Sequence, residues 1–204
     1  MEKYQHVERL NSPEVDGILS GTVYVFSKLD GSSARIAYED GKLVYGSRNR
    51  ILSIDNDNSG FMNASIDDER YKEFFKAYPS FVLYGEWLVK NHIKHYEDDA
   101  WRKFYVYDVM HDGRYLRYEE YKPMLDRFGI DYIPLICVMN SPTEQDILEL
   151  APKQGFLCKD GGYQEGVVIK NYDFINQYGR TTWAKVVNAT YTTQKYIKSE
   201  TPCI

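Results

Sequence analysis

A chain of 204 residues, 43% hydrophobic and 15% aromatic with 19 tyrosines, has enough apolar surface for a packed core, which argues against global disorder. Its formal net charge of −5 argues against a protein that grips nucleic acid by bulk charge alone, while leaving room for a local basic groove. Cys137, Cys158 and Cys203 are far apart and form no Cys-x-x-Cys, the charged N-terminus lacks a signal-peptide core, and no apolar run reaches membrane-spanning length; we expect a reduced, cytoplasmic protein with no membrane partner.

The elements follow in chain order. TVYVFSKL (22–29) is β-rich and apolar and reads as a buried strand. SARIAYE and KLVYGS flank Asp40-Gly41, a hairpin signal. SIDDERYKEFFKAY (65–78) reads as a helix with Ser65 as N-cap, acids in its first turn and Pro79 as its stop. SFVLYGEWLV (80–89) and KFYVYDVM (103–110) are strands. RYEEYKPMLDRFG (117–129) is helical around Pro123, with Gly129 as C-cap, and SPTEQDILELA (141–151) is a further helix. EGVVIKNY (165–172) and TTWAKVVN (181–188) are strands. Strand hairpins mixed with segregated helices indicate an α+β fold, and the short stretch after Asn188 suggests a single domain over 1–204 with no separate C-terminal domain.

Several charges interrupt these apolar strands. Lys28 stands at the end of the first strand, in KLDGSS; Glu86 sits inside LYGEW; Glu165 and Lys170 bracket EGVVIK; Lys185 lies in WAKVVN. Charge inside an apolar strand is costly unless it is paired or liganded. A strand of period two can point such residues to one face while its other face packs the core. Glu165 and Lys170 are an odd number apart, so a bulge, a twist or a strand-end placement is needed for both to serve one site. Taken alone, Lys28-x-Asp30-Gly31 is a common tetrapeptide, and a turn beside a surface lysine is its ordinary reading. His92 and His95 are three apart but have no cysteine or carboxylate pattern beside them that would mark a metal site.

The order KLDGSS, GSRNR, LYGEW, FYVYDV, EGVVIK, WAKVVN resembles the covalent nucleotidyltransferase superfamily of ATP-dependent ligases and mRNA capping enzymes, and within it the RNA ligase family. The resemblance spans Lys28 to Asn188, most of the chain. It implies an adenylation domain of antiparallel sheets flanked by helices around an ATP cleft. It implies an ATP-dependent RNA ligase that uses magnesium or manganese. Lys28 would attack the α-phosphate of ATP to form a lysyl-AMP; the AMP would pass to a 5′-phosphate end, and a 3′-hydroxyl would displace it. By the same resemblance Lys170 and Lys185 contact phosphate, Glu165 ligates the metal, Glu86 holds the ribose and Tyr107 stacks on adenine. Arg48 contacts ribose or the acceptor phosphate, and Asp30 and Gly31 shape the nucleotide-binding turn beside Lys28. A lysine is ordinarily protonated at neutral pH, so this role requires desolvation or neighbouring positive charge.

One departure stands out. The family's last motif carries two lysines one residue apart, whereas here Val187 follows Lys185 at that spacing; in the other register Trp183 takes the first place. Lys195 or Lys198 could substitute. Alternative readings are a DNA ligase or capping-type enzyme, since nothing in the sequence reads the acceptor, and a nucleotide-binding module impaired in catalysis. RNA ends are the expected partner, with an accessory protein or domain lending grip on the strand. The sequence does not specify an oligomeric state.

Overall fold

The structure, a computed structural model, describes residues 1–193. Cys203, Lys195 and Lys198 lie outside the described residues. In chain order the elements are β1 (Val7–Arg9), β2 (Thr22–Lys28), β3 (Ser32–Glu39), β4 (Lys42–Ser47), α1 (Phe61–Ser65), α2 (Glu69–Ala77), β5 (Phe81–Trp87), β6 (Phe104–His111), β7 (Arg114–Tyr115), α3 (Tyr118–Phe128), β8 (Leu135–Asn140), α4 (Glu144–Leu148), β9 (Gly166–Lys170) and β10 (Trp183–Val187). The fold is α+β, with two five-stranded sheets that are almost wholly antiparallel.

The chain divides into two compact units. The first comprises Met1–Tyr4, Gly31–Val89 and Ala100–Ile133; the second comprises Gln5–Asp30, Lys90–Asp99 and the described residues from Pro134 onward. The boundary falls between Asp30 and Gly31, inside the KLDG tetrapeptide.

The first unit holds the sheet β4-β3-β5-β6-β7. Its opening hairpin turns at Asp40 (φ 49°) and Gly41 (φ 80°), the paired positive dihedrals of a tight turn that matches strand twist. One face, carrying Ala34, Ile36, Leu83, Trp87, Phe104, Val106 and Val109, packs on Phe61, Phe74 and Phe75 of α1 and α2 and on Tyr121 and Leu125 of α3. The helix expected over 65–78 is α2 alone and starts only at Glu69; a separate helix, α1, ends at Ser65 before it. Ser65 is buried at the end of α1, where its carbonyl accepts the Tyr45 hydroxyl (3.2 Å), so it cannot cap α2. Asp68, at the start of α2, takes that place and accepts from the Arg70 amide (2.9 Å). Gly129, at φ 63°, ends α3 as expected.

The second unit holds the sheet β1-β10-β9-β2-β8. Val23, Val25, Val167, Ile169 and Ala184 form one face and pack on Val15, Ile18 and Ile147. β8 pairs antiparallel with β2 and has no counterpart in the sequence reading. Its outward positions, Ile136 and Val138, are themselves apolar and exposed, so the alternation that marks a half-buried strand is missing. α4 is shorter than the span 141–151 and is capped by Thr143, whose hydroxyl accepts from the Asp146 amide while Asp146 accepts from the Thr143 amide.

Candidate active site

The second unit gathers four of the predicted residues on one side of its sheet. Pairing sets the rows: Lys28 lies opposite Gly166 and Gly166 opposite Val187; Phe26 lies opposite Val168 and Val168 opposite Lys185; Tyr24 lies opposite Lys170. Val23, Val25, Val167, Ile169 and Ala184 face the core, so strand alternation puts Lys28, Lys170 and Lys185 on the other face together. Lys28 ends β2, where the apolar run stops, and keeps about a quarter of its side chain in solvent. Its Nζ donates to Glu165 Oε2 at 2.7 Å.

Glu165 solves its parity problem by standing just outside β9. Gly166, at φ 154°, turns the chain there, and a Cβ on it would lie 2.0 Å from the Val186 carbonyl. Only glycine fits, and the glutamate carboxylate thereby reaches the lysine face from a strand end. Asn188 secures the turn. Its amide N–H donates to the Glu165 carbonyl (2.8 Å) and its side chain to the Gln164 carbonyl (3.2 Å). Burial pushes the Glu165 carboxyl above the usual carboxylate range, against the pull of Lys28 and Lys185. A carboxylate so raised is a better proton acceptor for the ammonium it touches.

Lys170 is fully buried, with Nζ 4.6 Å from the centre of the Phe26 ring and 5.8 Å from that of Trp183. Cation–π contacts of about 0.5–2 kcal/mol each offset part of its desolvation cost. Such a cation is fixed in position.

Asp30 is a structural knot. Its carboxylate accepts from Asn91 Nδ2 (2.8 Å), the Ile93 amide (2.7 Å) and the Tyr191 hydroxyl (3.0 Å), while its own amide donates to the Tyr96 hydroxyl (2.9 Å). A buried carboxylate so occupied shapes the turn after Lys28 and has little capacity left for a ligand. His92 lies beside this knot, its Nδ1 3.2 Å from the Tyr191 hydroxyl, and His95 Nε2 meets the Tyr163 carbonyl at 2.8 Å. Neither belongs to a metal cluster: among the described residues no group of three His, Cys, Asp or Glu side chains could hold an ion.

In the first unit the sheet face opposite the core carries Ser33, Arg35, Tyr84, Glu86, Tyr107 and Asp108. Glu86 Oε1 accepts from the Gly31 amide (3.0 Å), and a Cβ on Gly31 would strike the Trp87 carbonyl at 2.5 Å. Tyr107 owes its orientation to a bulge. Tyr84 pairs with Asp108 but Gly85 with Val106, which leaves Tyr107 as the extra residue. Gly85 permits it, since a Cβ there would lie 2.5 Å from the Tyr105 carbonyl. The Tyr107 hydroxyl meets Ser33 Oγ at 3.1 Å, and burial pushes its pKa up. Arg48 is exposed in the turn after β4, and its charge reaches Tyr107 electrostatically.

Sequence reasoning missed Tyr4. Its ring packs 4.9 Å from that of Tyr107 and 5.1 Å from that of Tyr84, and its hydroxyl donates to buried Asp108 at 2.5 Å. It also missed Asn58, whose carboxamide oxygen accepts from Ser32 Oγ (3.0 Å) and whose nitrogen donates to the Ser33 carbonyl (3.3 Å). One tyrosine among 19, or one loop asparagine, carries no local signal of such a role.

No helix among the described residues is long and apolar enough to cross a membrane. No curated protein matches the chain. Among solved structures it is similar to the Naegleria gruberi RNA ligase. An alanine mutant of that enzyme with AMP and Mn matches at 18% identity and TM-score 0.73, covering 95% of this chain and 58% of that one. Its complex with PPi matches at 18% identity and TM-score 0.72, covering 97% and 58%. Another alanine mutant with ATP and Mn matches at 20% identity and TM-score 0.72, covering 96% and 58%. The present chain thus spans little more than half the length of those structures. A sequence profile described as RNA ligase matches residues 21–187, from before β2 to the end of β10. The chain belongs to the RNA ligase family.

Proposed function

We propose that this chain is an ATP-dependent RNA ligase that acts through a covalent lysyl-AMP at Lys28. The observation that carries the reading is the 2.7 Å pairing of Lys28 Nζ with a largely buried Glu165, whose pKa that burial raises, on a sheet face that also carries Lys170 and Lys185. Lys28 gives a proton to Glu165 or to solvent. The freed Nζ lone pair then attacks the α-phosphorus of ATP, a phosphorus–nitrogen bond forms, and the bond to the bridging oxygen breaks with its electrons leaving on pyrophosphate. Lys170 and Lys185 stabilise the charge that accumulates on the phosphates. The AMP then passes to a 5′-phosphate end of RNA, and a 3′-hydroxyl displaces it to seal the strand.

Among the described residues, Glu165 is the carboxylate on this face suited to a divalent ion. A single carboxylate, with phosphate oxygens and water completing the shell, fits magnesium or manganese, which need no all-protein cage. When bound, such an ion neutralises phosphate charge. In the first unit, Glu86 suits the ribose hydroxyls, Tyr107 the adenine ring and Arg48 a phosphate or ribose. The family membership and the ATP, AMP and PPi complexes of the Naegleria enzyme support this reading.

The test is incubation with α-labelled ATP and magnesium, then a denaturing gel. An acid-labile labelled band that vanishes in Lys28→Ala is expected; a band that survives the substitution removes Lys28 from its role. One observation favours a second reading. Val187 occupies the row of Lys28 where a cation would be expected, which suits a nucleotide-binding module with impaired catalysis. Tight ATP binding without any adduct would select it.

A further inference from the structure

β4 is an edge strand of the first unit's sheet, and its outer edge is covered only in part. The Leu52 amide donates to the Tyr45 carbonyl (2.8 Å) and the Ser47 amide to the Arg50 carbonyl (2.9 Å), so Tyr45 and Ser47 turn their backbone polar groups away from β3. Alternation along the strand gives Leu43 the same direction. Among the described residues nothing meets the Leu43 N–H or C=O on that side. A bare edge of this kind is a template for another strand.

A groove of about 870 Å³ lies beside this stretch, lined by Leu43, Ile51, Met62, Ile66 and Phe75 between the β3–β4 hairpin and helices α1 and α2. Tyr38 and Ile51, both in its lining, are 40% and 50% exposed, which marks an apolar surface open to a partner. Its charged lining residues are Lys42, Lys72 and Lys76, with no carboxylate among the described residues that line it. Lys72 and Lys76 flank Phe75 on α2 and pair with Glu69 (2.7 Å) and Glu73 (3.6 Å) of their own helix, surface contacts that contribute little and exchange readily. Lys42 makes no ion pair among the described residues, because Glu39, across the hairpin, is held by the N-terminal ammonium. Leu43 and Tyr45 face the core side of the sheet with Ile36, so Lys42 faces the other side.

We propose that the edge of β4 and this groove bind an extended acidic segment of a partner protein, which joins the sheet as a further strand. The site is separate from the reaction proposed above: the groove lies on the core side of the sheet, and Glu86 and Tyr107 stand on the opposite face. Alternation dictates the pattern of the segment. Its residues beside Leu43 point into the groove and are apolar; those between them point to the Lys42 side, where acidic side chains meet a cation without a partner. The bare backbone edge favours a peptide over a small amphipathic anion. The lysines favour an acidic partner over a second copy of this chain, since pairing β4 with β4 would bring two Lys42 side chains to one face.

The test selects short linear peptides from a random display library on the intact protein, then titrates the selected peptide, fluorescein-labelled, by polarisation. Apolar and acidic residues at alternate positions are expected. Ile51→Glu, which sets a carboxylate in the groove, should weaken binding about tenfold or more, and Lys42→Glu severalfold. Exchanging the peptide's acids for lysines should restore its affinity for Lys42→Glu. N-methylation along the peptide edge that faces Leu43 should abolish binding, and methylation along the other edge should not. Both protein variants should retain nucleotide chemistry at the wild-type level, so this result and the adduct assay succeed or fail separately. Failure to select any peptide whose binding depends on Ile51 would overturn the proposal. So would apolar residues spaced by three and four, which would make the occupant a helix, equal effects of methylation on the two edges, dimerisation of the protein through β4, or occupancy of the groove by dodecanoate alone.

Discussion

The two sheets bury one face each in the same way and use the other differently. In the second unit the remaining face carries, among the described residues, three lysines from three strands and a carboxylate delivered by a glycine turn. In the first unit it is a face of rings and hydroxyls, with Tyr4, Tyr84 and Tyr107 packed together and Glu86 held by the Gly31 amide. On the function proposed above, the contrast corresponds to a division of labour. Fixed charge suits the stabilisation of charge that develops during a reaction, whereas rings and hydrogen-bonding groups suit recognition of a base and a sugar in the ground state. Substitutions in the second unit should therefore lower the rate, and those in the first should lower affinity.

The largest expected effect is at Lys28, where alanine should abolish adduct formation while the melting transition survives. Next comes Glu165→Ala, for which single-turnover adenylation should slow about 100-fold or more and the magnesium dependence should shift. An unchanged metal titration would refute Glu165 as a ligand. Third, Tyr107→Ala should raise the KM for ATP about tenfold with kcat little changed. A fall in kcat at constant KM would break the division between the faces.

A fourth effect sharpens the account of Glu165 through pH. Burial raises its pKa in the folded state, so the folded protein holds that proton more tightly than the unfolded chain. Stability from this group is fully present below the ordinary carboxylate range and is lost as pH rises through the raised value. In urea titrations across that window, wild-type stability should fall relative to Glu165→Gln; a constant difference would mean that the carboxyl is not raised. The smallest effect lies in the first unit. Asp57 accepts from the Asn58, Met62 and Asn63 amides and so caps α1. Burial alone would raise its carboxyl, but those three amides outweigh it and hold the pKa down. Asp57→Ala should cost about 1–2 kcal/mol at neutral pH, with the deficit shrinking as acid protonates the wild-type carboxylate.

Much of this arrangement was legible in the sequence. Apolar runs interrupted by Lys28, Lys170 and Lys185 marked β2, β9 and β10, and the odd spacing of Glu165 and Lys170 called for a bulge, a twist or a strand-end placement, the last of which Gly166 provides. Other features were hidden because they depend on distant partners. The break between α1 and α2 follows from the burial of Ser65 beneath Tyr45, which no local propensity encodes. β8 carries isoleucine and valine on its exposed side and so lacks a periodic signature. The bulge that frees Tyr107 is set by pairing between β5 and β6, and the bracing of that ring by Tyr4 joins residues more than a hundred apart in sequence.

The most direct test of the central claim is intact-mass analysis after incubation with ATP and magnesium, followed by peptide mapping of the modified protein. The account predicts a mass gain of one AMP, located on the peptide that contains Lys28 and absent from Lys28→Ala. An AMP located on any other residue, or a folded, unmodified protein that gains no mass, would contradict it.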